Sequence, residues 1–387
     1  KHMIQMRDLS LAGQRLLIRE DLNVPLSNGK ILDNTRLKAV TDTIAFAHES
    51  GATVMIMSHL GRPKEGSIEP LLSLRPIASA LSILLKMPVS FAEDWIEGFE
   101  AKAGSITLFE NVRFLKGEQS NDEGLAKKMA SLCDIFVNDA FATAHRAHAS
   151  THGVAKYASI ACSGPLLTAE ITALNKALEN PKRPLVAIVG GAKVSTKLEI
   201  IQSLLGKVDS LIVGGGIANT CLKASGKSIG VSLCENDMIE TAEKIIQDTE
   251  TNIPLPIDVV CGKKFAENEV GVRKKICEVT SDDMILDLGE ESLQQIEKII
   301  LNAGTILWNG PLGVFEFPNF AQGTKKLAQA IAKSEAFSIA GGGDTLSAIT
   351  SFKVGEKISY ISTGGGAFLE FVEGKTLPAI AMLESRS

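Results

Sequence analysis

A chain of 387 residues is longer than one comfortable hydrophobic core and fits two domains of ordinary size. Hydrophobic residues at 45% and charged ones at 22% give the balance of a soluble globular protein, and no apolar run approaches the length of a membrane span. A net charge of -5 gives no reason to expect a nucleic acid or an acidic membrane as partner. The opening Lys1-His2-Met3-Ile4-Gln5-Met6 lacks the apolar core of a signal peptide, and its His-Met pair reads as a cloning remnant. Six cysteines without a C-x-x-C pair read as buried, reduced thiols of a cytoplasmic protein.

Short apolar runs alternate with helical stretches along the chain. In the first half, strands are expected at 15–19, 53–57, 88–91, 105–109 and 134–137, with a helix over 35–48. The stretch 166–178 is helical in pattern and has Pro165 before it and Pro181 and Pro184 after it, so it reads as the connector between the halves. In the second half, strands are expected at 185–189, 210–213, 255–260, 305–308, 336–340 and 358–362, with a helix over 323–333. These runs are apolar throughout rather than alternating, as strands buried on both faces are, so the sheets should be parallel and covered by helices. The predicted fold class is α/β, doubly wound in each half.

The halves differ in chemistry. Four glycine clusters follow strand-like runs in the second: Gly190-Gly191-Ala192-Lys193, Gly214-Gly215-Gly216, Gly341-Gly342-Gly343-Asp344-Thr345 and Gly364-Gly365-Gly366. At such strand-to-helix junctions free N–H groups and the positive end of a helix dipole face an anion, and a residue without Cβ lets it come close. One such loop is weak; four along one crevice point to a large phosphorylated ligand such as a nucleotide. The first half carries all six histidines and Arg19, Arg36, Arg62, Arg113 and Arg146, each at or beyond an expected strand end. Any one arginine is better read as a surface or structural ion pair. The set of five, beside Asp21, Asn23, His59, Asn111, Asn138 and Asp139, suits an anion with several oxygens, meaning phosphate plus carboxylate.

Three other signals carry less. His145, His148 and His152 stand at i, i+3, i+7, a spacing that could present three imidazoles to zinc, but no Cys or carboxylate lies among them, which favours hydrogen bonding at a helix terminus or in the core. Ala224-Ser225-Gly226-Lys227-Ser228 resembles the end of a Walker A loop, with Cys221 where the first glycine must be. Gly214-x-Gly216-x-x-Asn219 lacks the third glycine of a dinucleotide fingerprint, so hydride transfer has no motif behind it.

Larger motifs run in series: Arg19-Glu20-Asp21-Leu22-Asn23-Val24-Pro25, Ser58-His59-Leu60-Gly61-Arg62-Pro63, Phe109-Glu110-Asn111-Val112-Arg113-Phe114, Asn138-Asp139-Ala140-Phe141 and His145-Arg146-Ala147-His148. They continue as Gly190-Gly191-Ala192-Lys193-Val194-Ser195-Thr196-Lys197, Trp308-Asn309-Gly310-Pro311-Leu312-Gly313-Val314-Phe315-Glu316 and Gly341-Gly342-Gly343-Asp344-Thr345. In this order they resemble the phosphoglycerate kinase family, from about Leu9 to the end, and the length is similar to that of its compact bacterial members.

The resemblance implies reversible transfer of the acyl phosphate of 1,3-bisphosphoglycerate to ADP, giving 3-phosphoglycerate and ATP in glycolysis. It implies a monomer of two doubly wound, Rossmann-like parallel-sheet domains joined by a hinge helix, acting on small molecules and not on nucleic acid or membrane. The domains would be a phosphoglycerate-binding one at 1–162, a hinge at 163–180 and a nucleotide-binding one at 181–374, with 375–387 packing back onto the first. By similarity, Asp21, Asn23, Arg36, His59, Gly61, Arg62, Arg113 and Arg146 would hold the phosphoglycerate. Gly190, Gly191, Lys193, Lys197, Gly215, Asn309, Pro311, Glu316, Gly342, Gly343, Asp344 and Thr345 would hold the nucleotide, with Asp344 facing its Mg2+. Arg36 and Lys193, with the backbone at Gly343 and Gly365, would act on the phosphoryl in flight. The departures from the family pattern are Glu20, Ala142 and Ala379, none of which removes a functional group; Glu20 is expected to point away from the ligand.

Overall fold

The computed structural model describes residues 2–248 and 250–387, so Lys1 of the opening hexapeptide lies outside the described residues. The chain divides into two compact units, Lys1–Thr172 with Thr376–Ser387, and Ala173–Lys375.

The first unit is built on β1 (Arg15–Arg19), the short hairpin β2 (Leu26–Ser27) and β3 (Lys30–Ile31), then β4 (Thr53–Met57), β5 (Ser90–Ala92), β6 (Ile106–Phe109), β7 (Ile135–Asn138) and β8 (Ile160–Ser163). Apart from the hairpin these form one sheet in the order β5-β6-β4-β1-β7-β8, with every pairing parallel. β4 is buried at every position, which is why its sequence Thr-Val-Met-Ile-Met shows no alternation. Helix Thr35–Glu49 covers the sheet with Leu37, Val40, Ile44 and Ala47, one apolar stripe at helical spacing. Its first turn is held by Asp33, whose Oδ1 accepts from the Thr35 N–H at 2.9 Å and Thr35 hydroxyl at 2.6 Å. The run expected at 88–91 forms its strand two residues later, because Pro88 has no N–H for the ladder. β8 was not expected. Its three apolar residues, Ile160 to Cys162, give too short a run to stand out beside the proline-marked connector.

The second unit continues with β9 (Leu185–Gly191), β10 (Ser210–Gly214), β11 (Asp258–Gly262), β12 (Val272–Lys275), β13 (Met284–Leu288), β14 (Thr305–Asn309), β15 (Phe337–Ala340) and β16 (Tyr360–Ile361). Five of them make a parallel sheet, β10-β9-β14-β15-β16. The run expected at 255–260 departs from the parallel reading. It forms β11, which pairs antiparallel with β12 and β13 in a separate sheet. Pro254 and Pro256 keep the strand from starting earlier, and β12 is the mostly exposed Val-Arg-Lys-Lys, which carries no apolar signal. The cysteines also need correction: all six are free thiols, but Cys277 is exposed and Cys234 only half-buried.

Helix Pro165–Leu178 spans the division between the units, and the last helix, Pro378–Ser385, belongs to the first. It is tied there by Arg386, whose Nη1 donates to the carbonyls of Ala155 at 2.7 Å and Ala158 at 2.8 Å.

Candidate active site

In the first unit the register decides which loops meet. Arg19 lies opposite Met57 of β4 and Asn138 of β7, so 20–23, 58–62 and the residues after 138 leave the sheet side by side at its carboxyl edge. The Asn23 side chain accepts the Gly61 N–H at 3.0 Å, and its carbonyl accepts from Arg36 Nη1 at 2.6 Å. Arg36 also approaches Asp21 at 3.4 Å. Arg113 Nη1 donates to the Gly61 carbonyl at 2.7 Å. Asn111 holds these loops together: its amide brackets Leu60, accepting from N–H at 3.3 Å and donating to C=O at 2.8 Å, while Oδ1 takes the Arg113 N–H at 3.0 Å. Burial lowers the Arg113 pKa, Glu118 opposes that, and the charges of the exposed Arg146 and Arg62 lower it further. Asn23, Arg36, Gly61 and Arg113 thus form one hydrogen-bonded cluster, with Asp21 against Arg36.

Arg19 differs from the other four arginines. It is fully buried, and its donors are committed: Nε to Ser150 Oγ at 3.0 Å, Nη1 to the Glu20 carbonyl at 2.7 Å, and Nη2 to His59 Nδ1 at 3.0 Å. It is a structural cation at the base of the cluster rather than a member of the anion-facing set. Burial, with the charges of Arg19, Arg113 and Arg36 and nearby His148, holds His59 far below its ordinary pKa, so it is neutral. His148 is pushed down to about 4, by burial first and Arg113 next. Of the three histidines at zinc-like spacing, only His152 lies on the π-helical turn Ala149–Gly153, where its Nδ1 meets Asn121 Nδ2 at 3.0 Å; His148 caps that turn and His145 precedes it. Glu20 is fully buried beside Asp139; burial and that neighbour raise its pKa well above the carboxylate range.

In the second unit the glycine loops leave one edge together, since Gly190 lies opposite Gly214, Asn309 opposite Val189 and Trp308 opposite Ala340. A Cβ on Gly190 would run into the Pro311 carbonyl, so only glycine lets these strand ends approach. Gly342 stands at φ 99° immediately before helix Gly343–Ser351. Its loop is held by Asn309, whose Nδ2 donates to the Gly341 carbonyl at 2.9 Å, and by Thr345, whose Oγ1 accepts the Gly310 N–H at 2.8 Å. Lys197 Nζ donates to Asn309 Oδ1 at 2.6 Å; burial lowers its pKa and Asp344 opposes that. Around these loops opens a cavity of about 550 Å³ lined by Gly191, Gly215, Pro311, Glu316 and Asp344. Its apolar walls include Val231, Leu233 and Phe265, which the sequence did not mark because they lie on connections between elements. Lys193 sits at the cap of helix Val194–Leu204 and Gly365, at φ 54°, at that of Gly366–Val372; neither is among the residues lining the cavity. Asp287 does line it, and is buried with its pKa raised to about 7.

Two Rossmann-like units, one gathering arginines and one gathering glycine loops around a cavity of about 550 Å³, fit the class of the phosphotransferases. The sequence model of the phosphoglycerate kinase family matches residues 6–375. Among solved structures, phosphoglycerate kinase from Coxiella burnetii is 53% identical with a TM-score of 0.97, over 100% of both chains. Phosphoglycerate kinase from Pyrococcus horikoshii OT3 is 32% identical with a TM-score of 0.81, also over 100% of both. The chain belongs to the phosphoglycerate kinase family, and it transfers phosphate between 1,3-bisphosphoglycerate and ADP.

Proposed function

We propose that the first unit binds the phosphoglycerate through Asp21, Asn23, Arg36, His59, Gly61, Arg62, Arg113 and Arg146, and the second binds the nucleotide through its glycine loops, Lys197, Asn309 and Glu316. The observation that carries this is the hydrogen-bonded cluster of Asn23, Arg36, Gly61 and Arg113, which gathers cationic forks in one unit while the other offers a cavity with apolar walls and glycine loops. In the forward direction a β-phosphate oxygen of ADP attacks the acyl phosphorus, the bond from phosphorus to the carboxyl oxygen breaks, and 3-phosphoglycerate leaves as a carboxylate. No proton moves and no protein nucleophile is needed. Catalysis is then positioning plus stabilisation of charge on the transferring oxygens, a role for Arg36, Lys193 and the N–H groups at Gly343 and Gly365.

Asp344 supplies an exposed carboxylate on the cavity wall, a fitting oxygen ligand for Mg2+ carried on the nucleotide. The ion would neutralise phosphate charge there. Because an acyl phosphate hydrolyses readily, water must be excluded, and we take residues 163–180 as a hinge about which the units close. The protein works as a monomer in the cytoplasm on this reading, which its six free thiols suit.

Titration calorimetry tests the allocation of subsites. Arg113→Ala should weaken 3-phosphoglycerate binding roughly 10- to 100-fold, the worth of a charge-assisted contact, and leave MgADP binding unchanged; Lys197→Ala should do the reverse. If each variant weakens both ligands equally, the allocation is wrong.

A further inference from the structure

We propose that Arg19 is a positioning residue for the phosphoglycerate site: anchored by Ser150 and Glu118, it locks His59 into the neutral form that carries its proton on Nε2. A guanidinium has donors and no acceptor, so the 3.0 Å contact from Arg19 Nη2 to His59 Nδ1 leaves Nδ1 only the acceptor role. The one ring proton of neutral His59 is therefore on Nε2. His59 binds its ligand as a donor, and the ligand atom it meets must be an acceptor oxygen.

What keeps Arg19 in place comes from far along the chain. Ser150 Oγ accepts from Arg19 Nε at 3.0 Å and donates to Glu118 Oε2 at 2.6 Å, while Glu118 Oε1 accepts the Ser150 N–H at 2.8 Å. Both Glu118 oxygens accept, the pattern of a carboxylate, and Glu118 is as fully buried as Arg19. Arg19 and Glu118, oppositely charged, without solvent access and bridged by Ser150, keep this geometry firmly, since losing either would leave the other's buried charge uncompensated. The relay Glu118, Ser150, Arg19, His59 thus carries orientation from the loop after helix Val112–Phe114 into the end of β4. Burial first, and then Arg19, disfavours charge on His59: a second positive charge would sit 3.0 Å from a guanidinium, with Arg113 and Arg36 near. Arg19 itself touches no ligand in this account.

The inference rests on His59 belonging to the phosphoglycerate site, and the two parts have separate readouts. Long-range 1H–15N correlation spectra of the ligand-free, full-length protein, with the His59 signals assigned by their loss in His59→Gln, should show the Nε2–H tautomer and no protonation down to about pH 5. A proton on Nδ1, or titration near pH 6.5 in the unmodified protein, overturns the proposal whether or not any variant folds. Arg19→Lys keeps the charge but cannot hold Ser150 and His59 with one fork, so in the folded variant His59 should lose its single tautomer, while its low protonation, set first by burial, should persist. The KM for 3-phosphoglycerate should rise about tenfold, with kcat within about threefold and the KM for MgATP unchanged. A folded Arg19→Lys protein with an unaltered His59 spectrum overturns the proposal even if KM rises, because Arg19 would then act on the ligand directly. A shifted His59 spectrum with an unchanged KM would leave the relay standing and remove His59 from the phosphoglycerate site.

Discussion

Arg36 shows how neighbours set the direction of a side chain. Its Nη1 is engaged by the Asn23 carbonyl at 2.6 Å and by Asp21 at 3.4 Å, both from the loop after β1, so the side chain's direction is set locally. Its side chain remains 37% exposed, open to an incoming anion. A charge that acts mainly on the transferring phosphoryl contributes to kcat more than to ground-state binding. Arg36→Ala should therefore lower kcat by roughly 10³, with a smaller effect on either KM, in the coupled assay of ATP formation. A near-normal kcat would remove Arg36 from the chemistry.

Loops and helix starts make the next scale, and Asp287 governs one of them. This residue, near the end of β13, accepts the Gly323 N–H at 2.9 Å through Oδ2 and so holds the start of helix Gln322–Lys333. Its other oxygen lies against Gly313 and Gly323, where no hydrogen-bond donor among the described residues meets it, and burial raises its pKa to about 7. The sign follows from proton binding. Between about pH 4 and 7 the folded state holds a proton that the unfolded chain releases, so stability falls as pH rises through that window. The cost of the ionised form is absent below pH 4 and fully present above pH 7. Asp287→Asn retains an acceptor for Gly323 and cannot ionise, so its stability relative to the parent should rise between pH 5 and pH 8 by a few kcal/mol at most. Urea unfolding at the two pH values measures this, and an equal difference at both would mean that Asp287 does not titrate in the window.

At the scale of the whole molecule, Arg36 and Lys193 belong to different units. Two cations repel unless an anion lies between them, and a ligand moves an equilibrium only through its differential contacts with the two states. Closure should accordingly need both substrates. Small-angle scattering should show the radius of gyration fall with 3-phosphoglycerate, nucleotide and a planar phosphoryl mimic together, and change little with either substrate alone. Lys193→Ala should weaken the fall. The same radius in the ligand-free and fully liganded samples would sink the closure argument while leaving the chemistry untouched.

Local chemistry determined much of this protein from the sequence by itself. Short unbroken apolar runs such as Thr53–Met57 read as strands buried on both faces, glycines after such runs mark close backbone approach, and prolines bracket an isolated helix. Those features depend on a few adjacent residues, so they are legible without the fold, and the family motifs are legible for the same reason. What tertiary structure decided depends on pairs far apart in the chain. Arg19 reads in sequence like the other arginines, and only a partner 131 residues away, Ser150, makes it a buried anchor rather than an anion ligand. In the separate antiparallel sheet, β12 gave no apolar signal, because pairing with β11 rather than composition holds Val272–Lys275 in place. The apolar walls of the cavity likewise come from Val231, Leu233 and Phe265, separate segments that acquire a common surface only when the chain is folded.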